Sequence, residues 1–178
     1  MVECRAETAA RTSNRDVASI GETRTAELAE QLVVEYRSCN AENHDRLARS
    51  FEGMAEVVTE LRRRQFLTGL VTSKSRVFAL RGLKLCGLSE LMDAAIFMED
   101  TELHKPNPEP LLLGLERLKV LAEQAAYVGD SRHDMQAGRA ARVRTVAALW
   151  GPVPEEELKK EQPDFLVPAA SNLLEIFQ

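Results

Sequence analysis

The sequence predicts an α/β fold in which a parallel sheet is covered by helices on both faces, and three observations carry that reading. Short apolar runs recur along the chain: FLTGLV (66–71), AAIFM (94–98), AAYVG (125–129), RTVAALW (144–150) and DFLV (164–167). Most of them are followed by a stretch with helical spacing of apolar residues. Polar residues gather just past two of them, at Thr72, Ser73, Asp130 and Asp134. Fully apolar runs of this length suit strands buried on both faces, and strands alternating with helices are what parallel crossovers require. In such sheets ligands bind at the carboxyl ends of the strands, where those polar residues fall.

The elements follow in order. Residues 1 to about 19 lack apolar periodicity, and no strand is assigned to them. From Ala26 onward Leu28, Leu32, Val33 and Tyr36 share a helix face. A second helix is marked by Met54, Val57, Val58 and Leu61 at i, i+3, i+4, i+7. LRRR (61–64) then places positive charge where it complements the helix dipole. After the FLTGLV strand, Thr72 or Ser73 is expected to cap a helix that runs through Leu85 and stops near Gly87. AAIFM leads to a helix carrying Leu111, Leu112, Leu115 and Leu118, and AAYVG to one over Met135 to Ala141. RTVAALW is followed by EEELKKE, a solvated helical turn, and DFLV by a terminal helix. No internal repeat or low-complexity tract is present.

Composition bounds the function. The 178 residues suffice for one ordinary domain with a small appendage, and 44% hydrophobic with 29% charged residues is the balance of a soluble globular protein. A net charge of −5 lacks the basic excess of a nucleic-acid binder, so acidic ligands must be met locally. Cys4, Cys39 and Cys86 are far apart and odd in number, which fits a reducing cytoplasm rather than a disulfide framework or a zinc site. No apolar run approaches a membrane span, and the N-terminal residues lack the apolar core of a signal peptide. A cytoplasmic protein without membrane or nucleic-acid partners is expected, its oligomeric state open.

Each polar feature has a plain and a chemical reading. Thr72 and Ser73 stand at a strand-to-helix turn, as ordinary caps or as an anion site beside free backbone N–H groups. Lys105, in ELHKPNPEP, is either a solvated lysine or an ammonium held in place by a proline-stiffened loop. Asp130 and Asp134 make either a GDS turn with a capping aspartate or a carboxylate pair for a hard divalent ion such as Mg²⁺. Together, a hydroxyl, an ammonium and a carboxylate pair on one α/β sheet are the parts needed to bind and neutralise a phosphoryl group. His44, His104 and His133 have no mutual metal-site spacing and are expected to be surface or supporting polar groups.

GLVTSK, HKPNPEP and YVGDSRHDMQAGRA, in this order and spacing, resemble the second, third and fourth motifs of the haloacid dehalogenase superfamily, within it the phosphoglycolate phosphatase and pyrophosphatase-like members with a small helical cap. The resemblance covers roughly residues 20–178. It implies a three-layer Rossmann-like core over 51–178, a partial helical cap over 20–50, and a non-family segment over 1–19. It also implies a Mg²⁺-dependent phosphatase acting on a small phosphate ester or pyrophosphate through an aspartyl-phosphate. Thr72 would hydrogen-bond the phosphoryl group with help from the Ser73 backbone, and Lys105 would fix phosphate and nucleophile. Asp130 would bind Mg²⁺ and Asp134 would support the metal shell.

Two departures stand out. The first motif, an apolar strand ending in Asp-x-Asp that supplies nucleophile and general acid, has no match; its nearest approach, Asp16 with Ala18 two positions on, lies among polar residues unsuited to a central buried strand. The nucleophile is therefore unassigned, the central first strand of the core is expected to be missing, and activity is expected to be impaired or lost. The alternatives are a non-catalytic phosphate-binding module or a truncated gene product. The second departure is Arg142, where the family usually has the glycine of a left-handed helix end. A phosphoacceptor receiver domain is set aside, because its carboxylates precede the hydroxyl and lysine, whereas here they come last.

Overall fold

The described part of the chain opens with a 26-residue helix, α1 (Glu22–Leu47), in a computed structural model that describes residues 22–178. The segment 1–19, with Asp16, lies outside the described residues. Leu28, Leu32, Val33 and Tyr36 are exposed along α1. The chain divides into two compact units, one that contains α1 and ends at Ala48 and one that runs from Arg49 to Gln178.

The second unit alternates as expected: α2 (Met54–Arg63), β1 (Gly69–Val71), α3 (Arg76–Leu85), β2 (Ala94–Ile96), α4 (Glu109–Leu118), β3 (Ala126–Gly129), α5 (Arg132–Ala140), β4 (Arg144–Ala148), α6 (Glu155–Lys160), β5 (Phe165–Val167) and α7 (Leu173–Ile176). The strands are shorter than the apolar runs that announced them. An apolar run reports burial, whereas a strand also needs a neighbour for its backbone. Phe97 is buried like Ile96 before it, but its N–H donates to the Asp100 carboxylate at 2.8 Å, and the chain turns there into a short 3₁₀ segment.

All strand pairs are parallel. β1 pairs with β2, Gly69 opposite Ala94, and β3, β4 and β5 form a second sheet in which Val146 lies opposite both Val128 and Phe165. The single sheet that the alternation suggests is thus split in two. Thr72 N–H donates to Ile96 carbonyl at 3.0 Å, so the Val71 carbonyl, one step back, points away from β2. It accepts instead from the Tyr127 hydroxyl of β3 at 3.1 Å. Among the described residues no strand stands between β1 and β3.

Three layers are nevertheless in place. On one side of the second sheet Val57 and Leu61 of α2 and Leu173 of α7 bury against Val146 and Val167; on the other, Met135 of α5 and Leu158 of α6 close over Ala147. Thr145 to Ala148 of β4 are all buried, as the middle strand of a covered sheet must be. A third cluster, Leu111, Ala137, Ala141 and Val143, holds α4 and α5 together and receives Val71 and Tyr127.

Two helix-end details differ in kind. α3 starts at Ser75 rather than at Thr72 or Ser73, and Ser75 makes no side-chain cap bond. The Glu99 carboxylate takes that place, accepting from Arg76 N–H at 3.0 Å. At the far end of α5, Arg142 has φ 60°, as its position after the helix implied; its N–H donates to Arg139 carbonyl at 3.0 Å and Val143 N–H to Gly138 carbonyl at 3.1 Å. That bond pair is a Schellman ending. Gln65, Lys119 and Gln162 follow α2, α4 and α6 in the same left-handed region.

Candidate active site

The split sheet makes β1 and β3 the strands from which connectivity runs outward in opposite directions, β1 to β2 and β3 to β4 and β5. That is the switch point where open α/β sheets bind ligands. Thr72 leaves the carboxyl end of β1, its hydroxyl accepting from Lys74 N–H at 3.2 Å in a tight turn, with Ser73 exposed at the tip. The hydroxyl thus stabilises the turn after β1 rather than capping α3.

Asp130 and Asp134 follow β3. Ser131 caps α5: its hydroxyl accepts from Asp134 N–H at 3.1 Å, while Asp134 Oδ2 accepts from Ser131 N–H at 3.2 Å and Oγ at 2.6 Å. This reciprocal box satisfies two helix N-terminal donors and fixes the Asp134 rotamer. Its other oxygen, Oδ1, accepts from Lys105 Nζ at 2.7 Å and lies 3.0 Å from Tyr127 Oη, and Lys105 also donates to Tyr127 Oη at 3.0 Å. Burial by itself would raise the Asp134 carboxyl, but the Lys105 charge and hydrogen bond, with Ser131 and Tyr127, outweigh it and hold the group below the usual carboxylate range. Burial also pushes the Tyr127 phenol well above its ordinary range, helped by the Asp134 charge.

Asp130 is the opposite case. It is 3% exposed, and among the described residues neither carboxylate oxygen has a hydrogen-bond donor. Burial raises its carboxyl, and the neighbouring Asp134 charge raises it further. Unpaired buried carboxylates are costly, so this one calls for a cation. Among the described residues no three His, Cys, Asp or Glu side chains gather as a metal cluster, and Mg²⁺ is an ion commonly held by one or two carboxylates with water and phosphate. The donors present fit that ion.

Sequence reasoning placed the hydroxyl, the ammonium and the carboxylate pair each on its own unit of one sheet; the structure puts Lys105 in direct contact with Asp134 beyond β3, and Thr72 beyond β1, one residue past the Val71 carbonyl that meets Tyr127. It missed Tyr127, whose only sign was a polar tip inside an apolar run, and Gly151. A Cβ on Gly151 would lie 2.2 Å from Asp130 Cβ, so the backbone after β4 walls the carboxylate at a distance only glycine permits. Gly129 is equally confined, since its Cβ would lie 2.3 Å from Asp134 Cβ. His104 and His133 are exposed as expected; His44 is buried, with Nδ1 2.9 Å from Asp45 Oδ1.

A parallel α/β core with Lys105 bound to Asp134 beyond one of its strands defines a protein of the Rossmann-like kind. Comparison with known proteins gives the family: the profile described as Haloacid dehalogenase-like hydrolase matches residues 5–148, and the chain belongs to that family. A protein of Caldanaerobacter subterraneus provisionally named pyrophosphatase PpaX is 43% identical over 149 residues, 84% of this chain and 68% of that protein. Pyrophosphatase PpaX of Bacillus thuringiensis is 37% identical over 147 residues, 83% of this chain and 68% of its own length. Among solved structures, a provisionally named phosphoglycolate phosphatase from Lactobacillus plantarum superposes with a TM-score of 0.75 at 27% identity, covering 83% of this chain and 70% of that one. A Thermotoga maritima structure provisionally named beta-phosphoglucomutase gives 0.65 at 25% identity, covering 70% of this chain, which spans 58% of that structure's length.

Proposed function

We propose that the chain binds Mg²⁺ together with a small phosphate ester of the phosphoglycolate kind, or pyrophosphate, and that its turnover is impaired. The observation that carries this reading is Asp130, a buried carboxylate without a donor among the described residues, beside a second carboxylate already neutralised by Lys105. Asp130 would hold the ion, and Asp134 would support its surroundings by fixing Ser131 and Lys105. Bound Mg²⁺ would supply positive charge against the phosphoryl oxygens. The Thr72 hydroxyl and the Ser73 backbone would hydrogen-bond those oxygens, and Lys105 would neutralise them. Relatives named for pyrophosphate and for phosphoglycolate support both ligand classes. The acidic charge balance favours a small anion met locally over nucleic acid, and the cysteine spacing favours a reducing cytoplasm.

In the lineage an aspartate attacks phosphorus and a second carboxylate protonates the leaving oxygen. Among the described residues, Asp130 faces the cation position and Asp134 is held by three partners, so neither is placed to attack. This favours, as a second reading for the chain as encoded, a non-catalytic phosphate-binding module.

Calorimetry with inorganic phosphate at saturating Mg²⁺, alongside hydrolysis assays on pyrophosphate and 2-phosphoglycolate, separates the readings. Mg²⁺-dependent phosphate binding that disappears in Asp130→Asn and weakens in Thr72→Val, with hydrolysis at background, is expected. No phosphate binding by the intact chain overturns the proposal; rapid Mg²⁺-dependent hydrolysis overturns the impairment and points to a carboxylate outside the described residues.

A further inference from the structure

We infer that Tyr127 is a positioning residue, whose hydroxyl aims the Lys105 ammonium at the ligand and ties it to the strand end that carries Thr72; this rests on the phosphate-binding reading above. A lysine ammonium has three N–H donors in tetrahedral array. Two of them are taken, by Asp134 Oδ1 at 2.7 Å and Tyr127 Oη at 3.0 Å. With two directions fixed the third is fixed as well, whereas an ammonium held by Asp134 alone could swing about that one contact. The Lys105 side chain is 13% exposed, which leaves a narrow opening for the third N–H.

The same hydroxyl has a second task. Its single proton can reach the Val71 carbonyl at 3.1 Å or Asp134 Oδ1 at 3.0 Å. Val71 immediately precedes Thr72 and belongs to the other sheet, so one oxygen spans the gap between β1 and β3 where no ladder bond does so. The ring packs with the Leu111, Ala137, Ala141 and Val143 cluster, a task phenylalanine could perform. What phenylalanine could not do is accept from Lys105 and reach Val71.

The test is Tyr127→Phe in the full chain, with two readings. Calorimetry should show inorganic phosphate binding roughly tenfold weaker at saturating Mg²⁺, the loss of an aimed charge-assisted hydrogen bond, with Mg²⁺ affinity unchanged. In ¹H–¹⁵N spectra tuned to ammonium groups, the slowly exchanging Lys105 signal, assigned by its disappearance in Lys105→Met, should be lost in Tyr127→Phe. A purely structural tyrosine would lower the melting temperature without moving that signal, so an unchanged signal overturns the inference. If the intact chain binds no phosphate, the function reading fails while the ammonium signal still decides the role of Tyr127. Should Tyr127→Phe not fold, 3-fluorotyrosine in the otherwise unaltered chain gives a second measurement, because the sequence has only Tyr36 and Tyr127. The Tyr127 fluorine resonance should shift in Lys105→Met while that of Tyr36 stays; a stationary Tyr127 resonance overturns the inference.

Discussion

Asp130 and Asp134 are four residues apart on one turn, yet their contributions to stability run in opposite directions with pH. The Asp134 carboxyl is held low, so its contribution is in place above the ordinary value of 3.8 and is lost as pH falls through its folded value. The Asp130 carboxyl is raised, so between 3.8 and its folded value the folded chain holds a proton that the unfolded chain has released. Stability therefore falls as pH rises through that window, and the penalty is complete above it. Asp130→Asn, measured without Mg²⁺, should be more stable than the unaltered chain at pH 7 by about 1 kcal/mol, the scale of a buried group left without a partner. Thermal melts from pH 4 to 7 should show the two melting temperatures converging toward the acid end; a gap that widens there would refute the assignment. The acidic pair could be read from the sequence because its spacing is local. Tyr127 and Gly151 could not, because their tasks depend on the Val71 carbonyl and the Asp130 side chain, which are close to them only in the folded chain.

At the scale of elements, the succession of helices and strands was legible because burial leaves a periodic mark, while their ends were not. The α3 cap comes from Glu99, more than twenty positions along the chain from the turn it serves, and no local pattern announces such a partner. Arg142 was legible, since a Schellman ending places a left-handed residue at a fixed step past the helix and a side chain there is strained. Its φ of 60° makes Arg142→Gly a stabilising change of about 0.5–1 kcal/mol, the relief of left-handed strain less the extra backbone entropy of glycine. For a chain of this size that is a rise of roughly 2 °C in melting temperature. Lys119→Gly should add a similar increment independently, the two sites closing different helices. Calorimetric melts of the single and double variants check both, and an unchanged or lowered melting temperature in Arg142→Gly would show that its side chain contributes more than its backbone costs.

For the molecule as a whole, the facing edges of β1 and β3 set the main expectation. Among the described residues these two edges pair with no strand between them, and parallel edges left so present unsatisfied N–H and C=O groups and invite pairing with other chains. A fusion that places an apolar strand ending in Asp-x-Asp ahead of the chain should fill the gap, reduce aggregation seen by light scattering, and bring Mg²⁺-dependent phosphatase activity. Changing the first of those aspartates to Asn should return activity to background while keeping the gain in solubility. A fused chain that stays inactive and aggregates as before would show that the gap does not accept a strand. The run of apolar segments announced the strands but neither their division into two sheets nor the single phenol that reaches from β3 to β1.

The close approach of Gly151 to Asp130 also makes the site visible. Trp150, the only tryptophan in the chain, is the residue next to Gly151; it packs on the cluster of Val57 and Val146 and meets the Phe51 ring edge-on at 6.4 Å. A shift of the Asp130 carboxylate toward a cation would be felt at the Gly151 backbone, which stands close enough to it that even a Cβ would clash, and at the indole of the adjoining residue. The protein thus carries its own optical reporter: a Mg²⁺ titration should change the intrinsic emission of the unlabelled chain, saturably and not in Asp130→Asn, so that occupancy of the site can be followed by light alone.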